Sequence, residues 1–202
     1  MELAYAAEIA AATPPGQDHA VVLERGGGLV IVLADGAGGT RAGGMAAQAV
    51  VDAVSAAAPG SDWGALLESL DADVARRGRG HTTAIVLAID ERGITGYGVG
   101  DSGAWLVGGD IVDLCEGQRR KPFVGDGCFP FPIAVGPIGD ATLLVASDGL
   151  FNYAPRSEIM RIARLPDLVV AARGLIELVR LPAGGLQDDV SVVLCRARSA
   201  DR

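Results

Sequence analysis

Asp18 opens the apolar run His19–Glu24, and Asp35 closes the run Leu29–Ala34, with Arg25-Gly26-Gly27-Gly28 between them. A short glycine connection of this kind closes a β-hairpin. Its two arms are equal in length, so both aspartates return to the same open end, within several ångströms of each other. Three more aspartates repeat the pattern. Asp101 ends ITGYGVG, Asp148 ends TLLVAS, and Asp188 stands just before VSVVLCR. In an antiparallel sheet the end of one strand adjoins the start of the next, so these five carboxylates are expected along one rim. Uncompensated, such groups repel one another. Hard oxygen ligands with no His or Cys among them suit Mg²⁺ or Mn²⁺.

A plainer reading stands beside this one. Asp-Gly is a common turn signal, and Asp35-Gly36, Asp126-Gly127 and Asp148-Gly149 each read singly as turns. Turns alone do not require fully apolar strands to end in acids, so the phased set points to metal. The stretch DGAGGTRAGG, Asp35 to Gly44, has the glycine content of a phosphate cradle before a helix. It lacks a Gly-Lys-Ser/Thr ending and does not match G-x-G-x-x-G, so it is no nucleotide loop of those types.

The elements that must position these acids read as follows. Strand signals cover Leu3–Ile9, His19–Glu24, Leu29–Ala34, Thr82–Asp90, Ile94–Gly100, Ala104–Val107, Ile111–Leu114, Ala141–Ser147 and Val190–Arg196. Several are apolar on both faces, as strands covered on each side are. An Ala-rich helix is expected over Gly43–Ala58, stopped by Pro59-Gly60. A second follows Ser61 or Asp62 as its cap, with Trp63, Leu66, Leu67, Leu70 and Val74 at helical spacing. Two further helices are expected near Arg156–Arg164 and Pro166–Val179. Strands in adjacent pairs with helices inserted as pairs argue for an α+β fold of antiparallel sheets with helices outside.

Composition narrows the partners. The 202 residues carry a formal charge of -8, which disfavours nucleic acid and anionic membranes as main partners. No run approaches the length of a membrane span. The start, MELAYAAEIAAATPPG, has acids inside its apolar run and no basic segment, unlike a signal peptide. Cys115, Cys128 and Cys195 are odd in number and far apart, as in reduced core thiols of a cytoplasmic protein.

Six short motifs in order resemble the type 2C (PPM) metal-dependent protein serine/threonine phosphatases, as a compact bacterial-type member. They are GQDHAVV, LADGAGG, GHTTAIVLAI, GVGDSGAWLV, VASDGLFNY and QDDVSVVLCR, spread over roughly residues 16 to 196. The resemblance implies one domain over 1–202 with two stacked antiparallel sheets flanked by helix pairs, a four-layer αββα sandwich. It implies hydrolysis of phosphoserine and phosphothreonine in proteins by a metal-activated water at a binuclear Mn²⁺ or Mg²⁺ centre. By position, Asp35 would bridge both ions and the Gly36 carbonyl would bind one. Asp148 and Asp188 would complete the ligand set, Asp18 would orient a water, and Asp101 matches the residue supporting a third ion in bacterial members. The implied partners are a phosphorylated protein substrate and a cognate Ser/Thr kinase.

The chain also departs from the pattern. Thr13 stands where a phosphate-binding Arg is usual, Gln17 replaces an acid, Gly103 replaces Arg, Asp189 replaces Asn, and Ala37 replaces the histidine of eukaryotic members. The stretch from Asp101 to Asp148 is short, leaving little room for the usual flap. Arg41, or the run Arg119-Arg120-Lys121, is the candidate for the missing phosphate contact, although a solvated basic turn is the plainer reading of that run. His19 and His81, close to motifs, read as surface or supporting residues rather than proton donors. Two alternatives stay open: a non-catalytic relative that binds phosphoproteins or a regulatory partner, and a phosphatase of small molecules. Keeping Asp35, Asp148 and Asp188 argues against the first, since a pure binding module has little use for mutually repelling acids.

Overall fold

Alternate residues of the run Leu29–Ala34 enter different cores, and this alternation generates the architecture of the computed structural model, which describes residues 2–38, 41–78 and 80–198. The strands are β1 (Leu3–Ala10), β2 (His19–Arg25), β3 (Gly28–Ala34), β4 (Gly36–Ala37), β5 (His81–Thr82) and β6 (Ala84–Asp90). They continue as β7 (Gly93–Val99), β8 (Gly103–Val107), β9 (Ile111–Asp113), β10 (Phe131–Val135), β11 (Thr142–Ala146) and β12 (Val190–Ala197). The helices are α1 (Ala42–Ala56), α2 (Trp63–Arg77), α3 (Asp148–Phe151), α4 (Arg156–Ala163) and α5 (Leu168–Leu178).

Two five-stranded antiparallel sheets form, ordered β1-β12-β11-β8-β9 and β10-β7-β6-β3-β2, beside a small β4–β5 ladder. Leu29, Ile31 and Leu33 of β3 meet Leu143, Val145 and Val193 of the other sheet between the layers. Val30, Val32 and Ala34, on the opposite face of the same strand, pack under Ala46, Val50 and Val54 of α1 and Leu67 of α2. The other sheet does the same: Leu144 and Ala146 face outward against Ile159 of α4 and Leu175 of α5. A period of two, with both faces buried, stacks three apolar layers between four structural ones. The expected αββα sandwich is the observed fold. Each fully buried Leu or Ile contributes about 1.5–3 kcal/mol, so the sheets form a rigid platform for whatever stands on their rim.

The helix caps follow local chemistry. Asp62, rather than Ser61, caps α2 by accepting from the Ala65 N–H at 3.2 Å, and Asp167 caps α5 through Val169 and Val170. Arg25 at the end of β2 donates to the carbonyls of Val54, Ser55 and Ala57, tying down the C-terminus of α1. The three thiols are free, Cys115 and Cys195 buried and Cys128 half-buried, and burial pushes them up to about 11–12.

Three features differ from the sequence expectation. The run Thr82–Asp90 is broken at Thr83, because Thr83 spends its backbone N–H on the Asp35 carbonyl, at 2.8 Å, instead of the sheet ladder. Strand β10 was not expected, and it contains Pro132. It is tolerated because β10 is the sheet edge, where a missing N–H is harmless. Asp148-Gly149 is not a bare turn but the start of α3. Gly39 and Thr40 of the glycine-rich stretch lie outside the described residues.

Candidate active site

The register of the first hairpin sets the position of the first two acids. Gly26 and Gly27 both have positive φ, as a tight two-residue turn needs, and Arg25 pairs with Gly28. Counting back, His19 pairs with Ala34, so Asp18 and Asp35 flank the last pair at the open end. In the other sheet Ala146 pairs with both Gly103 and Val192. Asp148 therefore leaves β11 beside the approach to β8, which carries Asp101, and the approach to β12, which carries Asp188. Asp101 itself lies in the crossover from β7 to β8, which links the two sheets at that same end.

Asp35 stands between Asp18 and Asp148, and Asp148 in turn feels the charges of Asp101 and Asp188. Burial, then the charge of Asp18, pushes the Asp35 carboxyl up to about 10. Burial is also the main reason that Asp18 rises to about 6. Asp148 is raised by burial first and then by Asp101 and Asp188. Exposure grows outward along the row: Asp18 is 7% exposed, Asp35 and Asp148 are half-buried, and Asp101 and Asp188 face solvent. The closeness of Asp18 further disfavours the charged form of Asp35.

Positioning falls to groups that sequence reading passed over or gave other roles. Asp35 is held through its backbone: its N–H donates to Thr83 Oγ1 at 3.0 Å, and its carbonyl accepts from the Thr83 N–H and from Thr82 Oγ1 at 2.9 Å. Thr83 Oγ1 also meets Ser102 Oγ at 2.7 Å, tying the Asp35 corner to the crossover that carries Asp101. Ser147 Oγ accepts from the Ser191 N–H at 2.9 Å and fixes the chain just before Asp148. Asp189 serves the segment before Asp18. Its two oxygens accept from the Ala12 and Gln17 N–H groups at 2.7 and 2.5 Å, clamping the segment that ends in Asp18. The only hints in sequence were the paired threonines of GHTTAIVLAI and an acid where Asn is usual.

Two glycines permit the close approach of these corners. A Cβ on Gly36 would strike the backbone of Gly43 in α1, and one on Gly149 would strike the Asp189 carbonyl. Gly103 likewise leaves space for the Phe151 ring, 2.9 Å from where a Cβ would sit, so a larger residue there would have to displace that ring. Phe151 then stacks on Trp105, centroids 4.4 Å apart, with Arg156 over the indole at 4.8 Å.

Not every candidate joins the row. Arg41 is exposed at the start of α1 and, among the described residues, its side chain pairs with none of these carboxylates. Lys121 lines a cavity of about 420 Å³ together with Asp101 and Asp148, whereas Arg119 and Arg120 turn elsewhere. Among the described residues no set of three or more His, Cys, Asp or Glu side chains is arranged to hold an ion as it stands. The carboxylates form a row, not a closed cage. Two observations nevertheless fit divalent cations: an all-oxygen donor set, and an Asp18 whose two buried oxygens lack a well-formed hydrogen bond. Ser147, Ser191 and Asp35 are near enough only to offset part of its burial.

No family profile matches the sequence, and no curated protein sequence matches it. Solved structures do match, over nearly the whole chain. The serine/threonine phosphatase of S. agalactiae superposes with a TM-score of 0.83 at 21% identity, covering 98% of this chain and 100% of its own. PstP/Ppp of Mycobacterium tuberculosis, a serine/threonine phosphatase, gives 0.78 at 22% identity, with 98% and 99% covered. This chain has the bacterial serine/threonine phosphatase fold. The catalytic domain of PstP, in complex with two manganese ions, shares that phosphatase fold at a TM-score of 0.77 and 23% identity, with 96% and 97% covered. Among the described residues of this version of the fold, no helix is long and apolar enough to cross a membrane.

Proposed function

We propose that this protein is a metal-dependent phosphatase acting on phosphoserine and phosphothreonine in proteins. The observation that supports it most is the row Asp18–Asp35–Asp148, continued by Asp101 and Asp188, at the rim of a fold shared with serine/threonine phosphatases. Asp35, the Gly36 carbonyl, Asp148 and Asp188 would hold two Mn²⁺ or Mg²⁺ ions, with Asp101 available to a third. Bound there, the cations would acidify water and offset charge on a phosphoryl group. The chain's own residues do the rest. Thr82 and Thr83 fix the Asp35 backbone, Asp189 and Ser147 fix the two neighbouring corners, and Asp18 would orient a water. The buried, high-pKa thiols make poor nucleophiles, in keeping with direct attack by water. The partners that follow are a phosphoprotein and the kinase that reverses the reaction, in the cytoplasm.

The test uses purified protein on an aryl phosphate and on phosphothreonine peptides, with Mn²⁺ or with chelator. Turnover is expected with Mn²⁺ and not with chelator, and Asp148→Ala should lower it about 100-fold or more, as loss of a direct ligand exceeds loss of a supporting one. Turnover that ignores the chelator, or that Asp148→Ala leaves intact, refutes the proposal.

A further inference from the structure

Segment 117–131 lies beside the acidic rim, and the function proposed above uses none of it. It forms a second cup of about 280 Å³, walled by Gln118, Arg119, Arg120, Phe129 and Phe131. Phe129 is 63% exposed, the most exposed of the large apolar side chains among the described residues. Arg119, Arg120 and Lys121 are exposed, and among the described residues none of them takes part in an ion pair. In a chain of net charge -8, three adjacent unpaired cations stand out as complementary to an acidic partner.

Gln118 links this cup to the acidic rim. It is only 8% exposed, yet neither its amide nitrogen nor its amide oxygen has a hydrogen-bond partner. It lines the cup and also the cavity of about 420 Å³ that reaches Asp101 and Asp148, so the two depressions share this residue as a wall. Its amide atoms are closed off from solvent, so Gln118 is the shared floor over which a chain leaving the rim would pass into the cup.

We infer that segment 117–131 docks the polypeptide of a phosphorylated substrate, with an apolar side chain between Phe129 and Phe131 and acidic neighbours on Arg119 and Arg120. The inference rests on the phosphatase reading for what lies at the rim, but docking itself is read by binding. It specifies a substrate class: phosphoproteins whose site is flanked by acidic and apolar residues rather than basic ones.

Fluorescent phosphothreonine peptides would be titrated by anisotropy in chelator, one flanked by Leu with Asp and Glu, the other by Gly with Lys. The first should bind at least tenfold more tightly. Phe129→Ala and the pair Arg119→Glu/Arg120→Glu should each remove about tenfold of that affinity at unchanged melting temperature, since these side chains are at the surface. Equal affinity for the two peptides, or affinity indifferent to both surface variants, would overturn the inference. So would Phe129-dependent binding to phosphatidylglycerol vesicles in place of the peptide. If the wild type with Mn²⁺ turns over neither aryl phosphate nor either peptide, the phosphatase reading alone fails, and docking is still decided by the binding ratios.

Discussion

Replacing Asp18 by Asn should make the metal-free protein more stable while weakening its response to divalent cations. Asp18 is 7% exposed and its carboxyl is raised from 3.8 to about 6, chiefly by burial. At about 1.4 kcal/mol per tenfold change in proton affinity, that difference places up to about 3 kcal/mol of penalty on the charged form. The sign follows from proton linkage. Below 3.8 the carboxyl is protonated whether the chain is folded or not, and there is no penalty. As pH rises from 3.8 to about 6 the unfolded chain loses its proton first, stability falls, and above 6 the penalty is complete. Asn carries no charge at any pH, and its amide can donate to Asp35. In chelator at pH 8 the variant should therefore melt about 6–12 °C above the wild type, taking about 2–4 °C per kcal/mol for a chain of this size. The difference should shrink as pH falls from 6 to 4. Saturating Mn²⁺ should raise the wild type by about 3 kcal/mol at 100 times its dissociation constant, and the variant by less. A gain that persists unchanged at pH 4, or a loss at pH 8, would refute the electrostatic account of this rim.

Two further outcomes follow from the positioning groups. Asp189→Ala leaves the Ala12 and Gln17 N–H groups without their acceptor, and should cost about 2–4 kcal/mol in a denaturant titration while loosening Mn²⁺ binding measured by calorimetry. Thr83→Val keeps the shape but removes the bonds to the Asp35 N–H and to Ser102. It should cost about 1–2 kcal/mol and lower kcat more than it raises KM, since it shifts Asp35 rather than the docking surface.

Much of the fold was legible because each signal was local. Period-two alternation in Leu29–Ala34, the glycine pair at 26–27 and the Pro59-Gly60 stop act over a few residues, and the observed elements agree to within a residue or two at most ends. The places that were missed are those where a distant group overrides local preference. Thr83 leaves the ladder for Asp35, Pro132 is admitted because it falls on an edge, and Asp148 starts a helix because Gly149 packs against Asp189.

The same division holds for the rim. Equal hairpin arms put Asp18 and Asp35 at one end by counting alone, because strand register is a matter of residue number. That Asp189 clamps the segment ending in Asp18, that Phe151 fills the space beside Gly103, and that Gln118 is buried without partners are facts of packing between segments far apart in the chain. Side-chain role depends on what the other sheet brings near, and no spacing within one strand encodes that.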